Sequence, residues 1–343
     1  MIFKMGEMFC GPGGLALGAS HACVETQSET FSIEHAWAND FNEDSCRTFQ
    51  RNICQNNSCK VICKDARTID LTELPRINAF AFGFPCNDFS VVGEKRGING
   101  EFGALYKNGV RVIDHFEPDW FFAENVSGLR SADNGRTFQQ ILEDLSQAGS
   151  GYRLTTDLYK FEQYGIPQTR HRIIIIGIRN DLGFDFKVPT PTHIENCVSA
   201  RKALEEPPIP DDATNQELTK QSETVVERLK HIQPGKNVWN SDLPKRLRLN
   251  VKGAKLSQIY RRLHPDEPSY TITGSGGGGT HGYHWDEPRA LTNRERARLQ
   301  TFPDNFVFEG SKESVRKQIG MAVPPLGAKV ILEAIMKTFA GYD

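Results

Sequence analysis

Cysteine, proline and a short apolar run form the most chemically suggestive constellation in this chain. Phe84-Pro85-Cys86-Asn87 follows Ala79-Phe80-Ala81-Phe82, a run apolar enough to be a buried strand. A Cys at a strand end is placed to act as a nucleophile. Pro85 fixes one backbone angle ahead of it and so helps aim the sulfur. Taken alone, the same Cys suits an inert buried thiol. Beyond it, residues 91–103 are long, polar and rich in glycine, the composition of a lid loop.

Other groups suited to such chemistry fall at comparable places. Glu124-Asn125-Val126 follows a second apolar run, Trp120-Phe121-Phe122-Ala123. Neighbouring strand ends share one sheet edge, so Glu124 is expected to face Cys86. A carboxyl at the mouth of an apolar strand has a reason to hold a proton near neutral pH; a helix cap or a loop ion pair explains an isolated Glu equally well. Arg170 and Arg172, within Gln168-Thr169-Arg170-His171-Arg172, alternate in an extended segment and are expected to share one side. There they would bind a phosphate or a base oxygen, with a surface ion pair as the ordinary alternative.

Nearer the amino end, Phe9-Cys10-Gly11-Pro12-Gly13-Gly14 lies between a strand and a helix, where glycines let backbone amides approach a ligand. Asp40 closes the next apolar segment, roughly 25 residues beyond the glycines, as an acid that accepts from ribose hydroxyls would. Asp65, after a third strand, could accept from an adenine amino group, although either acid also suits a helix cap. The three features in this order favour an adenosine-containing cofactor and do not require a pyrophosphate.

The elements that must position these groups alternate. Strands are expected at 7–10, 35–38, 60–63, 79–84 and 119–123, with helices at 14–23, 42–52, 105–116 and 138–148. Such alternation predicts a parallel, doubly wound sheet. Residues 154–159 and 172–178 lie too close together for a full helix between them and are expected to pair as an antiparallel hairpin at the sheet edge. After Val188-Pro189-Thr190-Pro191-Thr192 the texture becomes polar and loop-rich, with glycines at 274–279. Helical pattern resumes at 293–300 and 327–339.

The chain has 343 residues, 38% hydrophobic and 24% charged, ordinary values for a globular protein of one large and one smaller domain. No apolar run in the sequence is as long as a membrane helix requires. The amino terminus lacks the core and cleavage site of a secretory signal. The expectation is a cytoplasmic protein whose eight cysteines are mostly reduced. Cys46, Cys54, Cys59 and Cys63 cluster without a CxxC pair and read as core and loop thiols rather than a metal site. Net charge is −2, yet Lys245, Arg246, Arg248, Lys252, Lys255, Arg261 and Arg262 occur with no acid among them. Such a stretch could neutralise phosphates or be a solvated basic face.

Six segments, in order, resemble the successive signature motifs of the DNA (cytosine-5) methyltransferases, specifically the bacterial restriction-modification type. They are the turn from Phe9 to Gly14, Pro85-Cys86, Glu124-Asn125-Val126, Gln168-x-Arg170-x-Arg172, Arg289-Ala290-Leu291-Thr292 and its continuation to Pro303, and Gln318-Ile319-Gly320-Met321-Ala322-Val323-Pro324-Pro325. The resemblance implies a Rossmann-like S-adenosylmethionine-dependent methyltransferase sheet with a second, smaller target-recognition domain. It implies a catalytic domain at 1–190, a recognition domain at 191–285, and a return to the catalytic domain at 286–343.

By the same resemblance, Cys86, Glu124, Arg170 and Arg172 are catalytic. S-Adenosyl-L-methionine would be held by Phe9, Gly11, Gly13, Gly14, Asp40, Phe41, Asp65, Ala66, Pro85, Leu105, Met321 and Ala322, leaving S-adenosyl-L-homocysteine as product. Double-stranded DNA would meet Ser90, Arg96, Lys245, Arg246, Arg248, Lys252, Lys255, Arg261, Arg262, Gly276 and Gly277. No metal and no membrane are implied. The expected form is a nucleoid-associated monomer paired functionally with a restriction endonuclease.

The chain departs from the family pattern at four places. Asn87 stands where Gln usually follows the Cys, Phe84 where Pro is common, Asp40 where Glu is usual, and Met321 where Asn is usual. Three other readings fit less well. A transfer-RNA cytosine methyltransferase would carry Cys-Phe-Thr, absent here. A non-catalytic DNA-binding relative is suggested only by Met321. A nicotinamide dehydrogenase leaves Cys86, Glu124 and the Arg pair without tasks.

Overall fold

A computed structural model describes residues 1–55, 58–84, 105–250, 256–277 and 279–342. In chain order its regular elements begin with β1 (Ile2–Met8), α1 (Gly14–Ser20), β2 (Cys23–Glu25), β3 (Thr30–Asp40), α2 (Glu43–Asn52) and β4 (Lys60–Cys63). There follow β5 (Ala79–Gly83), α3 (Tyr106–Phe116), β6 (Trp120–Val126), α4 (Arg136–Gln147), β7 (Tyr152–Lys160), β8 (Gln168–Thr169) and β9 (His171–Arg179). The remainder holds α5 (Ala200–Glu205), α6 (Glu223–Lys230), β10 (Ser269–Tyr270), α7 (Asn293–Leu299), α8 (Lys312–Met321) and α9 (Pro325–Phe339).

The chain divides into two compact units. The first comprises Met1–Lys160, His171–Thr190 and Pro325–Asp343; the second comprises Phe161–Arg170 and Pro191–Pro324. The linker at 188–192 thus contains one boundary, but the return to the first unit falls at Pro325, later than the expected 286. Residues 161–170 also leave the first unit. Both shifts have one cause: Gln168 and Arg170 bond to backbone and side-chain groups in the 272–322 region, which draws those segments together.

In the first unit, the described strands form an eight-stranded sheet ordered β2-β3-β1-β5-β6-β9-β7, with β4 also pairing β3. β3, β1, β5 and β6 run parallel, and β4 joins β3 in the same sense. β9 is antiparallel to both β6 and β7, which makes the expected edge hairpin. Parallel strands covered on both faces read as continuous apolar runs, and Ala79, Phe80, Ala81 and Phe82 are all fully buried.

Alternation along the strands builds two cores. On one face, Phe80, Phe82, Phe121 and Ile175 pack with Val112 and Ile113 of α3 and Ile141 and Leu145 of α4. On the other, Phe3 meets Trp120 and the Phe339 ring of α9 edge-on, with centroids 5.7 and 5.0 Å away. Asn42 caps α2 by accepting from the Ser45 amide, and Glu43 and Asp44 fill its first turn, the arrangement that favours a helix start. The first helix stops at Ser20, so Cys23 lies in β2 rather than in the expected longer helix.

The second unit adds α5, α6 and α8, which the sequence pattern did not indicate. By length and composition alone, Lys312–Phe339 passes for a helix that could cross a membrane. The segment is two helices, α8 and α9, interrupted before Pro325. Of its most apolar 18-residue stretch, 67% is buried within the protein, as in core helices. Cys54 and Cys59 form a disulfide, with Cα atoms 5.1 Å apart, so this pair departs from the expected reduced state. Cys10, Cys23, Cys46, Cys63 and Cys197 are free.

Candidate active site

Three consecutive features shape the end of β1. Phe9, Gly11 and Gly13 all have left-handed backbone, with φ of 56, 54 and 95°. This is costly for a residue with a side chain, so the strain at Phe9 marks a turn whose shape is imposed by its surroundings. Asp40, at the end of the neighbouring β3, fixes that turn. One carboxylate oxygen accepts from the Gly11 amide at 2.9 Å and the other from the Asn42 amide at 2.9 Å. Each carboxylate oxygen has a second lone pair, so the group retains capacity for a diol. Burial pushes the Asp40 carboxyl upward, against the lowering effect of the Asn42, Gly11 and Phe41 amides.

Around this turn, Gly14 is buried at the start of α1. Phe41, beside Asp40, is 74% exposed, an aromatic face open to a flat ring. Asp65 caps the short helical turn Ala66–Thr68 by accepting from the Arg67 amide, and its carboxylate pairs with Arg67 Nη2 at 2.6 Å. That pairing holds its carboxyl below the usual range. Ala66 is buried, and Leu105 precedes α3 in helical conformation. Asn39 Nδ2 donates to the Ile62 and Lys64 carbonyls, both at 2.8 Å, and so ties the ends of β3 and β4 together.

The second group lies where β5, β6 and β9 adjoin. Register sets Gly83 opposite Glu124, and Val126 opposite Arg172. Arg172 Nε donates to Glu124 Oε1 at 2.7 Å, and both side chains are 14% exposed. Asn125, almost fully buried, donates from Nδ2 to the Phe84 carbonyl at 3.0 Å. It thereby fixes the last described residue before Pro85-Cys86. Pro85, Cys86, Ser90 and Arg96 lie outside the described residues, as do Lys252 and Lys255.

Arg170 does not share a side with Arg172. It belongs to the second unit, is 1% exposed, and donates to the Ile272, Gly320 and Ala322 carbonyls at 3.0–3.1 Å. The alternation expected from an extended segment fails because regular pairing changes at this residue: β8 ends at Thr169 and β9 starts at His171. Gln168 completes the same hub, donating to the Leu299 carbonyl at 3.1 Å and accepting from the Ile272 amide at 2.8 Å. Ala322 is buried there, whereas Met321 ends α8 with its side chain 75% exposed.

The expected DNA-contacting cations divide similarly. Lys245, Arg246 and Arg248 are exposed; Arg246 pairs with Glu227 at 3.3 Å, and Arg248 donates to the Leu243 carbonyl at 2.8 Å. Arg261 lies over the Tyr270 ring at 4.5 Å. Arg262 is a correction: it is buried, and its guanidinium donates to the Leu229, Ile232 and His284 carbonyls. Gly276 and Gly277 are exposed. A Cβ at Gly276 would approach the Arg316 guanidinium carbon to 2.0 Å, and Gly277 has φ 106°. Both glycines therefore have a local geometric reason as well.

Two contributions escaped the sequence reading. Asn125 was quoted only as a motif member, and its bond to Phe84 depends on strand register. His281, which accepts from the Gly277 amide at 3.1 Å, was not singled out. The helix of the Arg289-to-Pro303 segment starts from a Thr292/Glu295 capping box, and Arg289 forks onto both Glu295 oxygens at 2.8 Å.

A mostly parallel sheet, a glycine turn held by an acid on the adjoining strand, and a Glu–Arg pair beside the strand leading to a Cys define the class of Rossmann-like methyltransferases. The profile of the C-5 cytosine-specific DNA methylase family matches residues 3–337. The chain belongs to this family and is a DNA (cytosine-5)-methyltransferase. It is similar to the Type II methyltransferase M.BbvI of Brevibacillus brevis, with 59% identity covering 99% of this chain and 92% of the relative. Against the Type II methyltransferase M.NgoFVII of Neisseria gonorrhoeae, identity is 42%, covering 98% and 87%. Among solved structures, a DNA modification methyltransferase encoded within an Escherichia coli prophage shares the fold. Its TM-score is 0.75 at 22% identity, over 98% of this chain and 99% of that one.

Proposed function

We propose that this enzyme transfers a methyl group from S-adenosylmethionine to C5 of a flipped-out cytosine in a specific double-stranded DNA sequence. The observation that carries the reading is the Glu124–Arg172 pair, set across β6 and β9, with Glu124 on the strand that adjoins β5 and β5 running into Pro85-Cys86.

The residues at the glycine turn suit the cofactor. Left-handed backbone at Phe9, Gly11 and Gly13 shapes a turn with no side chain at two of its positions. Asp40 has lone pairs left for a ribose diol, Phe41 offers an exposed ring for an adenine face, and Asp65 stands beside a buried Ala66. When bound, S-adenosylmethionine would supply an electrophilic methyl group. No bond in this set requires a pyrophosphate, which favours it over a dinucleotide.

Cytosine C5 is too weak a nucleophile on its own. Attack of the Cys86 thiolate on C6 forms a C–S bond and moves electron density through the ring, giving C5 enamine character. Glu124 meets that density at N3 by supplying a proton, and Arg172 holds its carboxyl in place from the neighbouring strand. Loss of the C5 proton to a base, expulsion of the thiolate and return of the N3 proton to Glu124 then restore the C5–C6 double bond and the neutral base. Because C6 is hidden in the base stack, the cytosine must leave the duplex; residues 91–103, expected as a lid, lie outside the described residues. Arg170, whose Nη groups donate to three carbonyls of the second unit, is given no part in this scheme.

The names of the two relatives favour a role in a Type II restriction-modification system. There, methylation would protect the host's DNA from a cognate endonuclease, and the enzyme would work on chromosomal DNA in the bacterial cytoplasm. Lys245, Arg246 and Arg248, with Arg261 and the glycine turn at 274–279, would lie toward the DNA.

Bisulfite sequencing of a plasmid from cells expressing the chain is the direct test. The expected result is 5-methylcytosine at one recurrent sequence, lost in Cys86→Ser. Methylation at full level in that variant would overturn the mechanism, and absence of 5-methylcytosine with the folded wild type would overturn the function.

A further inference from the structure

Gly277, in the glycine-rich turn of the second unit, is held by a histidine. Gly277 has φ 106°, and nothing lies within 4 Å of where a Cβ would be, so its shape is not set by packing of a side chain. Polar bonds set it. The Gly277 amide donates to His281 Nε2 at 3.1 Å. Its carbonyl accepts from the Thr280 amide at 3.0 Å and the Thr280 hydroxyl at 2.9 Å. Two residues on, Gly279 offers its carbonyl to the Tyr260 amide at 2.7 Å.

An amide N–H can only donate, so Nε2 must carry a lone pair and the imidazole must be neutral with its proton on Nδ1. The surroundings enforce that state. Arg296 donates to the His281 carbonyl. Arg316 lies against Gly276 and donates to the Gly274 carbonyl at 3.4 Å. Tyr283 meets the imidazole edge-on at 6.5 Å between centroids. Both guanidiniums are cations, and neither can accept a proton from the ring. Burial first, and Arg296 and Arg316 after it, push the His281 pKa down to about 4.

We propose that His281 is a positioning residue for DNA binding: its unprotonated Nε2 holds the Gly277 amide and so sets the shape of the glycine turn that meets the substrate. This rests on the reading above that the turn lies toward DNA. It adds a role for a residue outside the basic stretch, and it separates the two jobs of the site. Arg296 and Arg316 supply positive charge beneath the turn, and the neutral imidazole fixes its backbone.

The test uses the full-length chain with His281→Ala and His281→Gln. The Gln amide oxygen can accept the Gly277 bond but does not titrate. Loss of one such bond corresponds to a change of about three- to tenfold. The expected result is a rise of that size in KM for DNA in His281→Ala, with kcat and KM for the cofactor nearly unchanged, and return toward wild type in His281→Gln. Equal defects in both variants, an unchanged KM in His281→Ala, or a fall in kcat alone would overturn the proposal. Should His281→Ala fail to fold, nitrogen NMR of the wild-type imidazole still decides: a neutral ring protonated on Nδ1 at pH 6 is expected, and an imidazolium there would overturn it. The NMR result stands even if the wild type methylates no cytosine, which would instead count against the parent reading.

Discussion

Arg172 reaches across from one strand to hold the Glu124 carboxylate of the next, Nε to Oε1 at 2.7 Å. The antiparallel register of β6 and β9 sets this pair, because Val126 opposite Arg172 leaves Glu124 two residues further along on the same face. If Glu124 supplies a proton in the reaction, Glu124→Gln keeps shape and loses function. Single-turnover methylation should slow by about 10²- to 10⁴-fold, while DNA binding persists. A rate within tenfold of wild type would remove Glu124 from the mechanism.

Asp40 is expected to act through two partners at once, the Gly11 turn and the cofactor. In Asp40→Asn one oxygen becomes an NH2 group that cannot accept, so either the Gly11 or the Asn42 bond is lost. Calorimetric titration with S-adenosylmethionine should show affinity at least about tenfold weaker, with DNA affinity unaffected. Equal weakening for both ligands would point to general unfolding instead.

Arg170→Ala should act on stability. It removes a buried guanidinium and strands the Ile272, Gly320 and Ala322 carbonyls. Urea unfolding is expected to show a loss of about 2–5 kcal/mol. The fraction that remains folded should methylate at close to the wild-type rate. A stable but inactive variant would return Arg170 to the list of catalytic groups.

Acid should weaken the fold through the histidines of the second unit. His281 is depressed to about 4 and His284 is also lowered, each chiefly by burial. An unfolded histidine titrates near 6.5. Both contributions are therefore complete above pH 6.5 and are lost as pH falls below it, that of His281 down to about 4, because the unfolded chain takes up protons that the folded one refuses. Melting temperature measured from pH 7.5 to 4.5 should fall below 6.5, and less steeply in His281→Gln. A flat profile, or the same slope in that variant, would contradict the assignment.

Much of the first unit was legible because its signals are local. The apolar runs at 60–63 and 79–83 were long enough to be strands, Asn42 announces α2, and the short spacing before 172 left room only for a hairpin. What was hidden depends on partners distant in sequence. Arg170 read as a catalytic group and Arg262 as a DNA contact, because a guanidinium usually reaches solvent or substrate. Here carbonyls at residues 272, 320 and 322 bury one, and those at 229, 232 and 284 bury the other. The left-handed backbone of Phe9 carries no mark in the sequence, and the bond from Asn125 to Phe84 exists only once β5 and β6 are in register. Residues 286–324 fall in the second compact unit for the same reason. Their helical pattern was visible, but not the hub at Gln168 and Arg170 that they close around.

That hub bears on how recognition can be exchanged among relatives. The second unit is encoded in two pieces, Phe161–Arg170 and Pro191–Pro324, with β9 of the first unit between them. A chimaera that imports only 191–285 would leave Gln168, Arg170 and α8 facing a foreign core. If the second unit carries recognition, its exchange is a two-segment event, and grafts that carry 161–170 together with 191–324 are the ones expected to fold.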